Sequence, residues 1–143
     1  MGDQALKLTN YEKRRLEWGI AITTTGFGVW LLAPMASMDS AAYLQLRAWL
    51  SEPAWGLFFL DTGGLHAIAL QINGRRWWTP FARAGMLILN AFAYLFFAAG
   101  FYTVDPASTA VYIYGPLMTF LLMSALHTAA QDCYRAWMLY RRA

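Results

Sequence analysis

The chain has 143 residues, of which 59% are hydrophobic and only 13% charged, with a mean hydropathy of +0.35 and a net charge of +3. So little polar surface cannot coat a water-soluble globule of this size, which excludes an ordinary soluble domain and makes an integral membrane protein the expectation. The basic residues flank apolar runs, so their excess requires no nucleic-acid partner.

Thr9-Asn10-Tyr11-Glu12 matches a capping box, in which hydroxyl and carboxylate each serve the other's backbone amide, and so predicts a helix that begins ahead of the first apolar run. That run, 18–38, carries no charge and predicts a first span over 16–35. It lacks a small-residue cleavage site, so it is expected to stay as a signal anchor. Ala21, Thr24, Thr25 and Gly28 form a stripe of small residues that suits close helix approach, within the chain or between subunits. Tyr43, Leu46, Trp49 and Leu50 recur at helical spacing and predict a short amphipathic helix along the outer interface. Ser51-Glu52-Pro53 opens a second span over 54–72, closed by Asn73-Gly74. Thr79-Pro80 opens a third over 81–102, in which Ala84, Ala91 and Ala98 recur at sevens. Asp105-Pro106 is expected to open the fourth, 107–131, with a kink at Pro116 and Ala125 and Ala129 one turn apart, before a cytoplasmic helical extension over 132–142.

Backbone hydrogen bonding in lipid excludes open sheets, so the expected fold is all-α: a single four-span transmembrane helical bundle filling residues 1–143. Ten of the eleven Lys and Arg fall on one side of it, with Arg47 alone opposite, which predicts both termini cytoplasmic. Trp18, Trp77, Trp78 and Trp137 lie at that inner level and Trp30, Trp49 and Trp55 near the outer one, as amphipathic rings do at headgroups. The expected partners are the bilayer and further membrane subunits, copies of this chain foremost. Cys133 stands alone, which rules out an intrachain disulfide.

Two features invite a functional reading. Asp61 falls near mid-bilayer, where a carboxyl must be protonated, paired or hydrated. Counting ~1.5 Å per residue from the flanking arginines puts Asn90, Thr24 and Thr25 at shallower levels, which predicts a polar zone in the inner half of the bundle with Asp61 at its deep end. Such a zone reads as hydrogen-bonded helix packing, as an ion, proton or ligand site, or as a pore lining. His66 and His127 lie at matched depth on the second and fourth spans, roughly 12 to 14 Å above the inner arginines, and can face one another. A pair of imidazoles there could ligate a b-type haem through neutral ring nitrogens; the plainer reading is a hydrogen-bonded pair with no cofactor and no metal. No phosphate loop, cysteine-based metal cluster or nucleophile-and-base constellation stands out, and an enzyme is not expected.

Leu16-Glu17-Trp18-Gly19, Trp55-Gly56-Leu57, and Gln71-Ile72-Asn73-Gly74 running into Arg75-Arg76-Trp77-Trp78-Thr79-Pro80 resemble small polytopic membrane proteins encoded in proteobacterial phages and prophages. The resemblance covers the first two spans and the turn after them. It implies superinfection exclusion, modification of the host envelope or a holin-like pore, and brings no catalytic residues with it. The competing expectation is an accessory or b-haem electron-transfer subunit of a larger membrane complex.

Overall fold

A computed structural model describes residues 14–35, 37–72 and 78–140. The capping box at 9–12 and the Asn73-Gly74 turn lie outside the described residues. All regular structure among those described is helical: α1 Arg15–Leu32, a 3₁₀ turn Ala41–Tyr43, α2 Leu44–Trp49, α3 Glu52–Gln71, α4 Thr79–Val104, α5 Thr109–Tyr112, a π-helical turn Ile113–Leu117 and α6 Met118–Tyr140.

Proline sets most of the boundaries. Ala33 precedes Pro34 and Asp105 precedes Pro106, and both are extended, the conformation that a proline ring favours in the residue before it; α1 and α4 end there. Pro53 and Pro80 instead sit in the first turns of α3 and α4, where a missing N–H costs nothing. The sequence expectation for Asp105-Pro106 needs correcting. Asp105 caps a turn, its Oδ1 accepting the Ala107 amide at 3.0 Å, and Ser108 is the residue that opens the next helix. At Pro116 the lost N–H is absorbed by the π turn rather than by a break, and the helix runs on to Tyr140.

The long helices form a ring: α1 packs on α3, α3 on α4, α4 on α6, and α6 back on α1, so α1–α4 and α3–α6 are the two diagonals. Their pairing is antiparallel. A Cβ placed on Gly63 would stand 2.5 Å from the Thr25 amide nitrogen and 2.9 Å from the Ala21 carbonyl, while one on Gly28 would strike the Leu60 backbone. The stripe Ala21, Thr25, Gly28 is therefore an intrachain contact with α3. At the loop end, Leu46 and Met38 are fully buried, the Trp55 indole donates to the Leu46 carbonyl at 2.9 Å, and the backbone amide of Ser37 donates to Glu52 at 3.0 Å, which pins α2 and its flanks onto the bundle. Of the face expected for α2 only Leu46 is fully buried; Trp49 and Leu50 are exposed.

The centre of the bundle is aromatic. Phe27, Phe59 and Phe97, from α1, α3 and α4, stand with ring centroids 5.0 to 5.5 Å apart, and Tyr114 closes the group 5.8 Å from Phe97. These edge-to-face contacts fit the quadrupoles of the rings as well as filling volume.

Among the described residues two stretches are long and apolar enough to cross a membrane: α4 and the run Thr109–Met138. At 18 and 20 residues α1 and α3 would extend ~27 and ~30 Å, but Glu17 and three threonines in one, and Asp61 and His66 in the other, dilute their apolar character.

Candidate functional site

Two polar layers cross the bundle between the aromatic centre and the end at which α1 begins. In the outermost, each long helix contributes one side chain: Glu17 from α1, His66 from α3, Arg83 from α4 and Asp132 from α6. Arg83 is fully buried and grips the Glu17 carboxylate with two donors, Nε to Oε2 at 2.9 Å and Nη2 to Oε1 at 2.5 Å. Its remaining Nη1 donates to Asp132 Oδ2 at 3.1 Å, and Arg14 Nη2 donates to the same oxygen at 3.2 Å. Two guanidiniums thus face two carboxylates, and the cluster is formally neutral. Dehydrating each ion costs several kcal/mol, which a bidentate pair with further partners can offset and a single contact cannot.

The second layer lies seven residues further along both parallel helices. Thr24 Oγ1 donates to Asn90 Oδ1 at 2.7 Å and shares a 3.0 Å contact with the Tyr94 hydroxyl, while Asn90 Nδ2 donates to the Met86 carbonyl at 2.8 Å. All four residues of the two cross-bundle pairs, Glu17–Arg83 and Thr24–Asn90, are buried. A shift of seven is nearly two turns, so α1 and α4 present the same face at both levels. They meet through side chains across the diagonal rather than through backbone contact.

The predicted polar zone is formed in part. Thr24 and Asn90 are joined as just described. Thr25 is not with them: its hydroxyl turns back to the Ala21 carbonyl at 2.8 Å, at the close approach to Gly63. Asp61 is not with them either. It is exposed on the outward face of α3 between Leu57 and Leu65, because the buried stripe of that helix runs through Phe59, Thr62, Gly63 and His66.

His66 and His127 do not pair. They belong to diagonal helices, each packed on α4, so equal depth does not bring them together. His66 is fully buried with neither ring nitrogen hydrogen-bonded, its Nε2 3.9 Å from Glu17 Oε2. His127 is exposed and meets Gln131 at 3.0 Å on its own helix. Axial haem ligation needs both imidazoles turned to one cavity, and this arrangement does not fit it. Among the described residues no group of three or more His, Cys, Asp or Glu is placed to hold a metal ion.

Known families, characterised proteins and solved structures give no match to this chain. The site therefore has to be read from its own chemistry, which is recognition of one helix by another. Arg83 was not singled out by sequence because basic residues at a helix start read as topology, and Glu17 and Asp132 because depth alone gave them no partner. A signal was present: Glu17 and Arg83 are opposite charges, each one turn inside a helix that starts from the same end, followed seven residues later by Thr24 and Asn90.

Proposed function

We propose that the chain is a four-span protein of a bacterial inner membrane, with both termini cytoplasmic and α2 along the opposite surface, that acts without catalysis by assembling with other membrane chains. The observation that carries this reading is the outer surface. Ile22 on α1, Leu57, Leu65 and Ile68 on α3, Phe92 and Phe96 on α4, and Phe120 and Met123 on α6 are each more than half exposed. Large side chains outward on all four long helices suit hydrocarbon and would be an aggregation hazard in water. Among the described residues Arg14, Arg15, Arg83 and Arg135 lie toward the end that carries the charged layer and Arg47 toward the other, which supports the orientation.

Within the phage-related roles that the sequence resemblance implies, the aromatic filling of the bundle favours envelope modification or superinfection exclusion over a holin-like pore, since a leak would have to run between chains. Reporters active in only one compartment, fused to either terminus and inserted after Trp49, test the spans: cytoplasmic ends and a periplasmic loop are expected, and a periplasmic signal at either terminus overturns the four-span reading. Induced expression in a bacterial host tests the role. Reduced plating of an incoming phage with the membrane potential maintained is expected, and collapse of the potential selects the pore.

A further inference from the structure

Asp61 stands at the middle of α3, nine residues from Glu52 and ten from Gln71, roughly 14 to 15 Å from either end. It is exposed, and among the described residues it has no hydrogen-bond or ion-pair partner. Beside it on the same helix Gly64 is open: a Cβ there would meet nothing within 4 Å, in contrast to Gly63, which the bundle uses. Leu57, Leu65 and Ile68 surround the pair and are more than half exposed.

We propose that this face of α3 packs on the same face of a second copy of the chain, with Asp61 at the two-fold axis. The proposal rests on the four-span reading, since only in hydrocarbon does an unpartnered mid-helix carboxyl demand a partner. A two-fold contact brings each side chain of the patch to its own counterpart at the same depth. A carboxyl suits that position, because two carboxyls sharing a proton are each other's hydrogen-bond partner, whereas a lone basic or purely donating group could not pair with itself. Gly64 supplies what a helix contact in lipid needs next, a place without a side chain where backbones can approach. The leucines and Ile68 then close around the axis and keep lipid from the carboxyls.

The test is disulfide crosslinking in native membranes, with Cys133→Ser as background and single cysteines at positions 57, 65 and 68, and at the outward α1 positions 22 and 29 as controls. Linked dimers are expected at the three α3 positions severalfold above the controls. In the cysteine-65 chain they should persist with Asp61→Asn, which keeps hydrogen bonding, and fall severalfold with Asp61→Leu. Gly64→Ile, whose Cβ meets nothing within 4 Å in one chain, should remove them as well. Equal crosslinking at positions 22 and 29, indifference to Asp61→Leu, loss with Asp61→Asn, or crosslinks only to a different membrane protein would each overturn the proposal. The terminal reporters are read on the same variants, so failure of the spans shows as a periplasmic terminus and failure of the interface as missing dimers with topology intact.

Discussion

Arg83 donates to carboxylates on two different helices while itself shielded from solvent, so three helices depend on one guanidinium. Removing it leaves Glu17 as a buried, uncompensated charge. Arg83→Met is therefore expected to cost about 3–5 kcal/mol, seen as a large drop in thermal midpoint in detergent, and the double change with Glu17→Leu to return much of that loss, because Asp132 keeps Arg14 and no naked charge remains. Arg83→Lys should rescue only in part, since an ammonium cannot make the two-pronged contact. Thr24→Val breaks the hydroxyl's bonds to Asn90 and Tyr94 while keeping the shape, and should cost about 1–2 kcal/mol by the same measurement.

The α1–α3 pair is held by absence of side chains as much as by their presence. Gly63 and Gly64 are adjacent in sequence yet opposite in use. Gly63→Ala drives a methyl group into the Thr25 amide and the Ala21 carbonyl, backbone atoms that cannot step aside, and is expected to destabilise by about 1–3 kcal/mol. Gly64→Ala meets no atom and removes a poor helix former, so in the single chain it should be neutral or stabilising by up to about 1 kcal/mol. Reversal of that order in unfolding measurements on the two variants would show that α1 and α3 do not approach through Gly63.

The ring order of the helices decides which distant residues can be joined. Cysteines at positions 66 and 127 are expected to give no intrachain disulfide, because α3 and α6 are diagonal. Leu32→Cys with Gly56→Cys should form one readily: a Cβ on Gly56 stands 2.8 Å from Leu32 Cγ, where the new sulfur would lie. Both pairs are read on a Cys133→Ser background by gel mobility with and without reductant. Closure of the 66–127 pair would refute the diagonal arrangement.

All-helical character, the helix boundaries set by proline and much of the polar content were legible in the amino-acid sequence because they are local. Prolines act on the residues beside them, apolar runs declare their length, and a seven-residue spacing is a property of one helix. Thr24 and Asn90 were singled out by depth alone, and depth is local too. What depth leaves open is azimuth and neighbourhood: which way a side chain points around the bundle, and which helix lies beyond it. Asp61 and His66 show the difference. Five residues apart on one helix, they project about 140° from each other, but only the packing of α1 and α4 against α3 turns His66 inward to Glu17 and leaves Asp61 outside. The same packing drew Arg83 from the rim into the interior, since its long stem lets a charge at a helix start reach a carboxylate two helices away. Charge and spacing determined that such residues exist at that level; the ring of four helices decided which of them meet.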